Sequence, residues 1–121
     1  MFSVIEIVNL LEEGLEGNFY PLVFSHKSPD ASSQIITSSS TPIVGSVGRM
    51  NVQIITRDVH PSLAEAKANE IRSYLNDRTD FLLNDVQVVY VQSQNIVPLY
   101  IGTDENKRHL FSMNYNFILG V

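Results

Sequence analysis

Three histidines, His26, His60 and His109, mark where acid–base or metal chemistry would begin in a chain of 121 residues that has no cysteine. None lies at the i, i+4 spacing that sets two imidazoles on one helical face around zinc. Zinc held through thiolates is excluded outright. Asp58, between Arg57 and His60, has the residue types of an acid–base group, but a turn entering a helix is where an aspartate serves the backbone. Gly45-Ser46-Val47-Gly48 resembles a nucleophile elbow at a glance, yet that motif is G-x-S-x-G and here the first glycine touches the serine. Its glycine spacing also matches a GxxG clamp on a nucleic-acid backbone, but the flanks read as strand and Arg49 is the one cation beside it. Glu12, Glu13 and Glu16, and the pair Asp104 and Glu105, offer oxygens to a hard cation, and both groups fall where a wet helix face and a turn put carboxylates anyway. There is no phosphate loop, dinucleotide fingerprint or paired-carboxylate spacing. The expectation is a protein that is not an enzyme and carries no cofactor or metal.

Composition narrows the partners. Eight basic residues against thirteen acidic ones leave a net charge of −5, which argues against a duplex-binding role, because neutralising phosphates needs clustered Lys and Arg. No run approaches the ~20 apolar residues of a membrane span, and the first residues read as a helix rather than a signal, so no membrane is expected. Charged residues make up 17% of the chain, below the roughly 25% usual for soluble proteins. Drift in surface composition accounts for that, and so does a surface that faces other subunits, since interface cores are depleted of charge.

The elements that would position these groups follow from periodicity. Met50 to Arg57 alternates apolar and polar residues as a half-buried strand does. The turn Asp58-Val59-His60-Pro61 stops it, and Ser62 with Glu65 reads as a capping box opening a helix whose stripe is Ala64, Ala68, Ile71 and Leu75. A first helix is expected from Val4 to Leu15, with Ser3 and Glu6 as its own box. Phe19 to Phe24 reads as a strand that Pro21 sends to an edge. His26 to Ser33 reads as loop and Gln34 to Thr37 as strand. Ser38 to Gly48 reads as a loop of about ten residues, longer than usual for a hairpin. Phe81 to Leu83 should tuck under the sheet, Val86 to Val91 should be a central strand, and Ile96 to Ile101 an edge strand because of Pro98. His109 to Leu119 is the cleanest strand, with Phe111, Met113, Tyr115, Phe117 and Leu119 on one face, and it should pair with the strand before it. Together they predict a single α+β domain over residues 1–121, a mostly antiparallel or mixed sheet with two main helices packed on it.

Val52-Gln53-Ile54 running into Arg57-Asp58, the helix positions Ala64, Ala68, Ile71 and Leu75, and Pro98 with Gly102-Thr103-Asp104-Glu105 leading to Phe111, Asn114 and Phe117 resemble the tail terminator and tail-to-head joining proteins of long-tailed bacteriophages, often labelled minor capsid proteins. The resemblance spans Met50 to Leu119. It implies a structural virion protein, assembled in the bacterial host cytoplasm, that forms a hexameric ring, caps the completed tail tube, stops its polymerisation and offers a face to the head connector or stopper. DNA would be met only in transit through the channel. Stopper and adaptor neck proteins share the size and composition, and a small binding module or an enzyme with a cleft beside the second helix is the competing class. The residues expected at contacts are Ser39, Ser40, Thr41, Pro42 and Arg49 in and after the long loop, Arg57 and Asp58, and Asp104, Glu105, Lys107 and Arg108 in the charged turn.

Overall fold

The computed structural model describes residues 4–24, 28–44, 47–83 and 85–120, with residues 38–44 and 47 described by their backbone alone. In chain order the elements are α1 (Val4–Gly14), β1 (Phe19–Pro21), β2 (Ser32–Val44), β3 (Val47–Asp58), α2 (Pro61–Leu75), β4 (Thr79–Leu83), β5 (Val86–Ser93), β6 (Leu99–Thr103) and β7 (His109–Gly120). All seven strands join one sheet in the order β1-β2-β3-β7-β5-β4, with β6 beside β7. β1 pairs with β2 in parallel, and every other pairing is antiparallel. The α+β class and the mixed sheet are as the sequence predicts.

At the centre, β3 and β7 pair without a break from Val47↔Gly120 to Asp58↔His109. Their alternation sends Val52, Ile54 and Thr56 with Phe111, Met113, Tyr115 and Phe117 to one face, all buried. α2 lies on that face, against β3, β7 and β5. Its stripe is the one expected, Ala64, Ala68, Ile71 and Leu75. The small residues bring the helix backbone close enough for the Thr56 hydroxyl to donate to the Ala64 carbonyl at 2.8 Å. α1 buries Ile7, Val8, Leu10 and Leu11 and touches β1, β2 and also β4, so the sheet curls around the helices. Each large apolar side chain buried here contributes about 1.5–3 kcal/mol.

Four local expectations are corrected. α2 begins at Pro61, with His60 as its N-cap and no side-chain cap bond. Proline at the first helical position has its φ preset and no N–H to leave unpaired, so it displaces Ser62 from the cap and Glu65 from a capping box. The stretch from Ser38 to Gly48 is not a loop: β2 runs on to Val44 and β3 starts at Val47. Ser38↔Asn51, Ser39↔Met50 and Thr41↔Arg49 are paired, with irregularities on either side of Thr41; Pro42, which has no N–H to give, sits within the second of them. β5 is one strand in from the β4 edge rather than central. Its register shifts between Val88 and Tyr90, so Val88 and Val91 are both buried and a strict alternation fails there. Phe81 to Leu83 is the edge strand β4 and does not lie under the sheet, and Leu82 is exposed. The expected cap at Ser3, together with His26, Gly45 and Ser46, lies outside the described residues.

Where the two helices meet, the Tyr74 hydroxyl donates to the Leu10 carbonyl at 2.9 Å, engaging an acceptor near the C-terminal end of α1. A Cβ on Gly14 would stand 2.2 Å from the Tyr74 ring. Gly14→Ala is therefore expected to forfeit the ~1 kcal/mol that alanine gains over glycine in a helix and to destabilise by about 1–3 kcal/mol instead, read from urea unfolding. The Tyr115 hydroxyl is buried with no hydrogen-bond partner, and burial pushes its pKa up. Replacing a buried group that has no partner recovers its desolvation cost, so Tyr115→Phe should be neutral or more stable by up to about 1 kcal/mol at neutral pH. Above about pH 10 the unfolded tyrosine ionises and the folded one resists, so wild-type stability falls as pH rises, and the phenylalanine variant should lack that component.

Candidate functional site

The expected contact residues fall at two opposite ends of the β2–β3 hairpin. Arg49 is exposed near its far end, across from Thr41 on β2 and Ile118 on β7. Ser39, Ser40, Thr41 and Pro42 belong to the same end, within β2. Arg57 and Asp58 close the other end, nine residues along and so roughly 30 Å away. The Asp104–Arg108 turn joins them there, because the β3–β7 register sets Asp58 against His109.

At that end Arg57 is buried to 4% exposure. Its guanidinium donates to the Asp30 carbonyl at 3.2 Å, the Ser28 hydroxyl at 2.9 Å and the Pro29 carbonyl at 2.7 Å, and lies 4.0 Å over the Phe24 ring. Burial, and then the neighbouring Arg108 charge, lower its pKa from the usual arginine value, while Asp104 and Asp30 act in the opposite direction. Arg57 thus pins the 28–30 segment to the sheet of its own chain. Arg108 donates to the Asp104 carboxylate at 2.8 Å and reaches Asp30 at 3.4 Å. Burial alone would raise the Asp104 pKa, but the backbone N–H groups of Arg108 and Asn106 and the Arg108 guanidinium outweigh it and hold the carboxyl below its ordinary value. Glu105 and Lys107 are exposed at the tip of the turn. His109 meets the Tyr100 hydroxyl at 2.9 Å, and His60 is exposed at the start of α2.

Beside Arg57 a groove of about 460 Å³ opens between residues 16–18, the start of β2, the end of β3 and the first turns of α2. Asp58 forms part of its wall at 9% exposure and accepts the His60 N–H at 3.2 Å. Among the described residues no three of His, Asp and Glu converge as metal ligands.

A second feature stands out between β5 and β6, which lie along the same side of β7. Gln94 N–H donates to the Asn114 carbonyl at 2.8 Å, and Asn114 N–H donates not to a backbone oxygen but to the Asn95 side chain, also at 2.8 Å. The Asn95 carbonyl in turn accepts from Ser93 Oγ at 2.8 Å and from Arg72 Nε on α2 at 3.1 Å. With Asn95 locked in this way, the next two residues project into solvent: Ile96 is 86% and Val97 67% exposed. Leu99, Tyr100 and Ile101 continue the exposed apolar run along β6, whose outer edge has no strand partner among the described residues.

A family model described as "Bacteriophage tail terminator protein" matches residues 17–121. The chain belongs to this family. No individual curated protein matches the chain. The match takes in every strand and α2 and leaves out α1, so it reaches well beyond the Met50–Leu119 span over which the sequence resemblance is carried. Membership makes the protein a tail terminator in general role, a structural component of a phage tail.

Sequence reasoning did not single out the 28–30 seat of Arg57 or the Asn95 lock. The available signal for the second was a polar Ser93-Gln94-Asn95 run interrupting a strand pattern and followed at once by Ile96-Val97-Pro98. For the first, Arg57→Lys tests the seat: an ammonium cannot reproduce three guanidinium bonds spread over three residues. The variant should lose about 1–3 kcal/mol of unfolding free energy, and faster hydrogen exchange in residues 28–31 is the accompanying sign.

Proposed function

We propose that the chain works as a homo-oligomeric ring, a hexamer, that covers the last ring of a completed tail tube, halts its polymerisation and offers its other face to the head-side connector or stopper. The mechanism is steric and interfacial. The observation that carries this reading is the apolar run from Ile96 to Ile101: two of its residues are held clear of the surface by a polar lock on Asn95. An apolar projection fixed in advance loses little entropy on docking, which is the physical hallmark of a contact element.

The outer face of the sheet supports it. Asn51, Gln53, Ser112, Asn114 and Asn116 lie there, linked by bonds from Gln53 to Ser112 at 3.0 Å and from Gln94 to Asn116 at 2.6 Å. The residues of this ladder carry no ionised side chain, in keeping with the reading of the low charge content as subunit-facing surface. The exposed 105–107 turn and the hairpin end bearing Ser39 to Pro42 and Arg49 are further contact elements in this proposal, toward the tube or the head side. A net charge of −5 suits a channel through which DNA passes without being gripped.

Ile96→Asp with Val97→Asp should leave the monomer folded, since both side chains face solvent. The double variant is expected to lose ring formation in light scattering and to leave tail tubes uncapped and over-long in negative-stain images. Rings and capped tubes like those of the wild type would refute the reading of this run.

A further inference from the structure

We propose that the Asn95 lock is a latch with two positions: Arg72 can swing from the Asn95 carbonyl to the buried Tyr115 hydroxyl, and in that second position residues 94–97 are loosened from the body of the protein. Its bearing on assembly rests on the reading of Ile96 and Val97 as a contact element. The latch itself is a property of the single chain.

Tyr115 is fully buried, and among the described residues its hydroxyl has no hydrogen-bond partner. Buried hydroxyls in native proteins are nearly always paired, so an orphan one points to a second arrangement in which it is satisfied. The sheet places that hydroxyl beside the lock. Tyr115 stands opposite Ser93 on β5, and residues opposite each other in an antiparallel pair point to the same face, here the face on which α2 lies. Ser93 Oγ and Arg72 Nε both donate to the Asn95 carbonyl, at 2.8 Å and 3.1 Å. Arg72 is also the charge that acts on the Tyr115 hydroxyl: burial raises the pKa of that group, and the guanidinium works to lower it.

The two positions are balanced by what each leaves unpaired. A guanidinium carries five N–H donors, and among the described residues only the Nε of Arg72 has a partner. With Arg72 on Asn95, the Tyr115 hydroxyl is an unused acceptor. With Arg72 on Tyr115, the Asn95 carbonyl keeps the Ser93 hydroxyl, so the exchange strands no acceptor. What the exchange removes is the tie from α2. The Asn95 side chain still faces the Asn114 N–H, but the 94–97 segment then hangs on the sheet alone, and Ile96 and Val97 lose their fixed direction. Docking through these two residues favours the first position, because only there is the projection ordered in advance.

Amide hydrogen exchange in the full-length protein, at concentrations too low for association, tests the latch independently of assembly. Tyr115→Phe removes the acceptor of the second position, and Arg72→Met removes the group that moves. In Tyr115→Phe, exchange of the Gln94 and Asn114 N–H groups is expected to slow at least threefold relative to that of Ile54 and Met113, which report the central ladder. Arg72→Met should speed exchange at Gln94 and Asn114, and adding Tyr115→Phe to it should bring no further local slowing. Unchanged exchange at 94 and 114 in Tyr115→Phe, or a slowing shared equally by Ile54 and Met113, would overturn the latch. So would the same local slowing when Arg72→Met is already in place. A protein that shows the expected exchange yet forms no ring, even on tubes, would overturn the ring reading and leave the latch standing.

Discussion

The uninterrupted ladder between β3 and β7 is the constraint on which the other contacts depend. Because side chains alternate along a strand, a slip of one residue would send Ile54, Met113 and Tyr115 to the outer face and bring Gln53 and Asn114 inside. The register that buries the apolar set also fixes what stands at each end. It places the Asp104–Arg108 turn beside Arg57 and Asp58, and it brings Asn114 to where Asn95 can take its N–H. These features are thus consequences of one pairing, held by the burial of Val52, Ile54, Phe111, Met113, Tyr115 and Phe117.

Burial at the Arg57 end works differently. An arginine left at 4% exposure without full hydrogen bonding would cost several kcal/mol in desolvation. Carbonyls, a hydroxyl and an aromatic face offset that cost, and they come from a stretch with no regular structure. The guanidinium therefore gives residues 28–30 the order that secondary structure gives elsewhere. Asp58, its neighbour in sequence, faces the other way, because adjacent residues on a strand point to opposite faces, and it accepts the His60 N–H instead.

What is legible in the sequence is what periodicity governs. The stripe of α2 and the apolar faces of β3 and β7 are readable residue by residue, because a period of 3.6 or 2 leaves few alternatives over twelve or more positions. The Ser38–Gly48 stretch was not readable as strand, since serine, proline and glycine signal a loop by local preference, while the pairing with β3 is a long-range fact that overrides it. Ser62 lost the cap to His60 because Pro61 competes for the same turn and wins by having no N–H to satisfy. The bulge in β5 inverted the inside–outside pattern after Val88, and no count of apolar residues along that strand reveals it. Of the expected contact residues, Glu105 and Lys107 stand exposed, whereas Arg57 is committed to its own chain, because exposure depends on the 28–30 segment folding back over it.

The groove and the projecting Ile96–Val97 pair lie on either side of α2. The groove opens toward β2 and the N-terminal turns of the helix, while the Asn95 lock fastens to Arg72 in its last turns and projects Ile96 and Val97 toward the β6 side. The helix thus ties the groove and the projecting residues into one rigid body. In the ring proposed for this chain, features on opposite flanks of one subunit would let each copy offer one face and receive on another. The angle between the two flanks, set by how α2 lies across β3 and β7, would then govern whether such a ring closes, so that closure would depend on core packing as much as on the contact residues.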